Sequence, residues 1–266
     1  MLISANGIRL KVEVAGDGVP IIFLHAGSMT GAMWRPQFEY FATDYRCLAW
    51  DARGHGDSEV TLGEYRYPVF ARDLFDVMDH FGMDTAHLVG LSMGGIIAMQ
   101  YACDYPHRVK SLALLSTTAR ARDVPSAFVE LVEEATGNGH IPDALGEDVL
   151  REELRNTLSP HTIRSRPEVF EEVCRMHADH DPRVLTRLLP AFQALDLTDR
   201  IRQLKPPTTV LCGADDTTTT PLAAHRHIVE TIPGAELHIV PDAGHLVNME
   251  NPTFVNSVLA QHFGNA

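Results

Sequence analysis

No stretch of this chain approaches the roughly 20 consecutive apolar residues that a membrane-spanning helix needs. Its first residues, MLISANGIRL, lack the basic patch, long apolar run and small-residue cleavage site of a secretory leader. A cytoplasmic protein with no membrane partner is the expectation. Basic side chains are scarce as well, 22 Lys and Arg against 35 Asp and Glu, for a net charge of −13 at pH 7. Phosphate backbones are bound by clustered basic side chains, so nucleic acid is not an expected partner. Cysteine is sparse: Cys47, Cys103, Cys174 and Cys212 lie far apart with no C-x-x-C pair, which argues against a disulfide framework or a metal site. Cys47 in RCLAW and Cys212 in VLCG read instead as buried thiols inside strands. Internal repeats and low-complexity tracts are missing too, the TTTT run at 217–220 being too short to count.

What is present is the composition of an ordinary globular protein, 45% hydrophobic and 21% charged, enough for a large buried core. Short apolar runs suited to buried strands recur at IRLKVEV (8–14), PIIFLH (20–25), RCLAW (46–50), AHLVGL (86–91), SLALLS (111–116), TTVLCG (208–213) and ELHIV (236–240). Helical spacing appears between most of them, as in residues 69–81, where Phe70, Leu74, Val77, Met78 and Phe81 share a face. Strand, helix, strand in alternation means an α/β fold with a mostly parallel sheet and helices on both faces. The rhythm breaks between about 119 and 206, where EVFEEVCRMHADH and PRVLTRLLPAFQAL are helical and no strand-like run occurs. Pro206-Pro207 ends that stretch. The expected organisation is a core of residues 1–118 and 207–266 with a helical cap inserted at 119–206.

The strongest local signal is Gly90-Leu91-Ser92-Met93-Gly94, a G-x-S-x-G between the apolar run AHLVGL and the helix-like GGIIAMQYAC. A serine hydroxyl attacks a carbonyl only when it is held exposed beside a base, and a sharp strand-to-helix turn meets the first condition. The helix that follows offers unbonded N–H groups to an oxyanion. Among fourteen histidines, His245 in PDAGHLVNMENP follows ELHIV by a short loop, where a base can reach across the carboxyl ends of the strands. His225, His227 and His238 fall in a helical or strand pattern and suit structural roles. Asp215-Asp216 comes directly after TTVLCG, and a carboxylate there would hold the imidazole in the right tautomer. A second oxyanion donor is expected in the loop His25-Ala26-Gly27-Ser28, after the strand PIIFLH. The order Ser, Asp, His is that of one serine-hydrolase architecture rather than the others.

Taken together, LHAGSM, DARGHGDS, GLSMGG, GADD and GHLVNMENP come in the order and spacing of the α/β-hydrolase superfamily, which the whole chain resembles. Within it, YRCLAWDARGHGDSE and DAGHLVNMENP are most similar to 3-oxoadipate enol-lactonase-like esterases and lactonases. The resemblance implies Ser92 as nucleophile, Asp216 as acid and His245 as base. It also implies the N–H groups of Met93 and Gly27 as the oxyanion donors. The implied reaction is a two-step acyl transfer on a small-molecule ester or lactone, needing no metal or organic cofactor. Two departures stand out. Pro221 comes five residues after the acid rather than four, behind TTTT, which implies a different acid loop; and Ala26 replaces a glycine in the oxyanion loop, which would narrow the approach of a carbonyl.

Arg53 and His55 in DARGHGDS sit where the superfamily has a structural turn. Apolar residues of the insertion, Phe128, Leu131, Met176, Leu188 and Phe192, are candidates for a hydrophobic acyl or ring site, or for the cap's own packing. The same triad also serves C–C bond hydrolysis and cofactor-free perhydrolysis, and the fold serves non-catalytic binding modules. Dehalogenases and epoxide hydrolases of this fold carry an aspartate where Ser92 stands.

Overall fold

The computed structural model describes residues 1–63, 65–126, 130, 147–178 and 180–266. The chain opens with a hairpin of β1 (Leu2–Ala5) and β2 (Ile8–Ala15), turned at Asn6-Gly7 with φ of 47° and 75°. Two left-handed residues in a two-residue loop match the right-handed strand twist, and Asn-Gly adopts them at little cost. There follow β3 (Pro20–Leu24), α1 (Arg35–Phe41), β4 (Arg46–Trp50), α2 (Tyr67–His80), β5 (Ala86–Leu91), α3 (Met93–Asp104) and β6 (Val109–Leu115). After β6 the described chain is helical, with α4 (Glu147–Thr157), α5 (Pro160–Ser165), α6 (Pro167–Ala178), α7 (Pro182–Gln193) and α8 (Thr198–Ile201). The sheet resumes with β7 (Thr208–Gly213), then α9 (Leu222–Thr231), β8 (Glu236–Val240), α10 (Val247–Glu250) and α11 (Pro252–Gly264).

The eight strands form one sheet in the order β1-β2-β4-β3-β5-β6-β7-β8, antiparallel from β1 through β2 to β4 and parallel beyond. Side chains alternate across the sheet. Ile22 and Leu24 of β3 pack with Phe70 and Leu74 of α2 and Ile97 of α3, while Ile21 and Phe23 pack with Phe38 of α1 and Val255 and Leu259 of α11. Strands buried on both faces read as unbroken apolar runs, which is why AHLVGL and TTVLCG show no period of two. Cys47 and Cys212 are buried in β4 and β7.

Every strand expected from sequence is present; β1 is the addition, and β6 starts two residues earlier than the run SLALLS. The helical stretch is pinched at its neck. Arg120 and Asp196 form an antiparallel bridge, flanked by hydrogen bonds from Ala121 N–H to Leu195 O (3.0 Å) and from Leu197 N–H to Ala119 O (2.9 Å). Of the apolar residues singled out in this stretch, Met176 and Leu188 are buried in packing clusters, and Phe128 and Leu131 lie outside the described residues. Arg53 is structural: its guanidinium grips the Asp73 carboxylate of α2 through two contacts of 2.6 Å, deep in the core. No helix among the described residues is long and apolar enough to cross a membrane.

Candidate active site

The parallel half of the sheet delivers chemistry at one edge. Ser92 follows β5, Thr117 follows β6, Asp216 follows β7 and His245 follows β8, so the loops after four neighbouring strands meet at their carboxyl ends. Open α/β sheets bind ligands in this crevice. Ser92 stands at φ 54° and ψ −116°, a conformation costly for a residue with a β-carbon. The surroundings enforce it. Ser92 N–H bonds Leu115 O at 2.9 Å, and the Thr117 hydroxyl bonds Ser92 O at 2.7 Å. A β-carbon on Gly94 would stand 2.0 Å from Leu24 O, and one on Gly90 2.3 Å from Gly94 O, so only glycine lets strand and helix pack this closely. The N–H groups of Gly95 and Ile96 bond Ser92 O, whereas those of Met93 and Gly94, first in α3, have no acceptor within the helix.

Asp216 and His245 are both buried and paired, with His245 Nδ1 2.8 Å from Asp216 Oδ2. An ionised carboxylate can only accept, so Nδ1 carries the hydrogen and Nε2 is left to take a proton. The run TTTT, which set this acid loop apart from the family pattern, supplies the carboxylate's other donors. The N–H groups of Thr219 (3.2 Å) and Thr220 (3.1 Å) reach Oδ1, and the Thr220 hydroxyl reaches Oδ2 at 2.7 Å. Burial works to raise the Asp216 carboxyl, but the imidazole and these hydrogen bonds outweigh it and hold the carboxyl below its usual value. Asp215 is exposed, its N–H bonded to Ala243 O. Gly213 lets the two loops close up: a β-carbon there would fall 1.9 Å from Gly244 O.

The structure brings Asp216 and His245 into contact and forms no hydrogen bond from Ser92 Oγ to the imidazole. A small cleft is lined by Ser92, Ile96, Thr117, Thr118, Val124, Phe192, Thr219 and Thr220, so the serine shares it with the two threonines that bond Asp216. Of the apolar residues singled out between 119 and 206, Phe192 is thus the one among the described residues that reaches this cleft. Gly27 is half-buried beneath α7, with Leu185 Cδ2 3.9 Å from where its β-carbon would stand. The Ala26 methyl is buried in the core cluster that includes Met29 and Met33. His225, buried in α9, accepts from Thr117 N–H at 3.1 Å and so braces the loop under Ser92.

Sequence reasoning missed several site residues. Thr219 and Thr220 were visible only as a departure from a pattern. His25 accepts from Ala52 N–H at 2.8 Å and lies near His55 (ring centroids 5.0 Å apart), which neighbours His180 (4.8 Å), so three imidazoles link the loop after β3 to the start of α7. Burial depresses all three, His25 to about 4 and His55 and His180 to about 3.

Comparison with known proteins agrees with this fold. Residues 19–252 match the family described as alpha/beta hydrolase fold. The chain belongs to that family. It is 26% identical to 3-oxoadipate enol-lactonase 2 of Acinetobacter baylyi over 96% of this chain and 92% of the relative. It is equally 26% identical to the 2-hydroxy-6-oxononadienedioate/2-hydroxy-6-oxononatrienedioate hydrolase of Comamonas testosteroni, over 98% and 93%. A solved structure described as an N-acyl homoserine lactone degrading enzyme superposes with a TM-score of 0.86 at 29% identity, covering 98% of this chain and 99% of the other.

Proposed function

We propose that this protein is a serine hydrolase that cleaves a carboxylic ester or lactone of a small, partly apolar molecule through an acyl-enzyme. The observation that carries the reading is the buried His245–Asp216 pair, whose carboxylate is held by Thr219 and Thr220, two residues that share a cleft with Ser92 at the strained N-terminus of α3. Ser92 Oγ attacks the carbonyl while His245 Nε2 takes its proton, and Asp216 holds the imidazole by Nδ1 and stabilises the imidazolium. The N–H groups of Met93 and Gly27 receive the oxyanion. His245 then protonates the departing alkoxide, and a water activated by the same imidazole releases the acid. None of these steps calls on a metal or organic cofactor.

The stretch of residues 119–206 acts as a cap, contributing Val124 and Phe192 to the wall of the cleft. The lining side chains named above are apolar or hydroxyl-bearing and uncharged, which suits a short neutral acyl group. Kinship with two lactone-cleaving proteins supports ester or lactone chemistry. Kinship with the Comamonas hydrolase favours C–C bond hydrolysis as the second reading.

The test is turnover of p-nitrophenyl esters and simple lactones by the wild type and Ser92→Ala, with and without a serine-directed fluorophosphonate. Wild-type turnover blocked by the reagent, and a loss of roughly four or more orders of magnitude in kcat/KM on removing the hydroxyl, is the expected result. A wild type that neither turns over nor is labelled overturns it. Faster cleavage of a vinylogous diketone than of any ester selects the second reading.

A further inference from the structure

Five residues beyond His245 lies a buried carboxylate that the proposed chemistry leaves idle. Glu250, at the end of α10, is 4% exposed. Its Oε1 accepts from the N–H groups of Gly244 (3.0 Å) and Leu246 (3.1 Å), the two residues that flank His245. Its Oε2 accepts from Ser159 N–H (2.7 Å) and the Thr162 hydroxyl (2.8 Å), at the start of α5. Burial pushes this carboxyl upward, and the four donors work against that rise.

The same two segments are fastened at other points. His245 N–H bonds Thr157 O at 2.7 Å, and the Ser159 hydroxyl bonds Asp242 O at 2.9 Å. Arg166 Nη1, just past α5, donates to Met249 O (2.9 Å) and Glu250 O (3.0 Å). The stretch from the end of α4 to the end of α5 therefore grips the loop that carries the imidazole. Glu250 is the piece whose one side chain reaches both halves. A buried charge is expensive, and a carboxylate is the group that accepts on both of its sides.

We propose that Glu250 is a positioning residue, clamping the His245 loop to the segment between α4 and α5 so that the helical insertion sets the aim of the imidazole. The inference rests on the reading of His245 as the base. It makes the insertion a support for the base as well as a wall of the cleft. A glutamine at 250 has one acceptor and one donor end, so whichever way it turns, at least one N–H now on the carboxylate faces an NH2 group. Thr162→Val is milder, removing one donor and leaving the three amides in place.

The experiment compares wild type, Glu250→Gln and Thr162→Val in the full chain by p-nitrophenyl ester kinetics, thermal melting and the downfield proton resonance of the His245–Asp216 hydrogen bond. For folded Glu250→Gln, kcat is expected to fall about 10- to 100-fold with KM within about twofold, because a base displaced by a fraction of an ångström still lets substrate bind. The resonance shifts or broadens. Thr162→Val moves both readouts the same way, by about two- to fivefold in kcat. Unchanged kcat and an unchanged resonance in a folded variant overturn the inference. If Glu250→Gln does not fold, Thr162→Val decides on the same two readouts. A wild type without turnover or fluorophosphonate labelling defeats the serine-hydrolase reading instead, and the resonance still reports whether Glu250 holds the imidazole.

Discussion

Thr220 touches both members of the buried pair, its hydroxyl 2.7 Å from Asp216 Oδ2 and 3.3 Å from His245 Nδ1. With Asp216 ionised, that hydroxyl donates to the carboxylate and competes with the imidazole for the same oxygen. It shares the negative charge and keeps the carboxyl low. Thr220→Val preserves shape and removes the donor while leaving both amide bonds to Oδ1. The expected outcome is a folded protein, less stable by about 1–2 kcal/mol in urea titration, since a hydrogen bond to a charged buried group is lost. A drop of about tenfold in kcat is expected with it, read from ester hydrolysis at pH 7.5. An unchanged kcat would confine the hydroxyl to a structural part.

The turn at Ser92 makes its demands as an element, because β5, α3 and β3 approach too closely there for any residue but glycine at position 94. Gly94→Ala puts a methyl against Leu24 O, a backbone atom that cannot move without shifting the strand. The expected result is a loss of more than about 3 kcal/mol by chemical denaturation, or no soluble folded protein; a stable Gly94→Ala would show that α3 slides away from the sheet. This element was fully legible in sequence, since a strand, a G-x-S-x-G and a helix are local patterns. So were the strands of the parallel half, whose burial on both faces leaves continuous apolar runs. The hairpin was missed at β1 because LISA is four residues long and half exposed, although Asn6-Gly7 carried the turn signal. The positions of Asp216 and His245 could be read from what precedes them. The long-range braces of these loops could not: Glu250 meets Ser159 from 91 positions away, and His225 meets Thr117 from 108. Contacts of that kind depend on how loops from separate strands come together, and no spacing in the chain records them.

Over the whole molecule, the buried imidazoles set how stability depends on pH. His25, His55, His87 and His225 are each at most 1% exposed. Burial holds His25, His87 and His225 at about 4 and His55 at about 3, from an ordinary value of 6.5. Each of these groups binds a proton more readily in the unfolded chain than in the folded one, so protonation favours unfolding. Their contribution is whole above pH 6.5 and shrinks as pH falls toward 4. At pH 5 each imidazole has given up about 2 kcal/mol. The net stability of a domain is about 5–15 kcal/mol, so even two or three of them acting take a large part of it. Asp51, Asp73 and Glu250 pull the other way, because burial raises their carboxyls and protonation then favours the folded chain. Their rise is limited: Gly31 and Asp57 N–H groups hold Asp51 down, Arg53 holds Asp73, and four donors hold Glu250. The carbonyls of Ala26, Arg53 and Pro221 also work against the fall of His25, His55 and His225, yet burial still leaves these groups at about 4, 3 and 4; Asp216, held low, adds to the acid side of the loss below its ordinary value of 3.8. Urea unfolding at pH 7.5 and pH 5.0 should therefore give a clearly lower midpoint at pH 5.0 with an unchanged slope. A flat or rising midpoint would mean that the carboxyls cancel the imidazoles, and that the histidines linking the loop after β3 to α7 do not make the fold acid-labile.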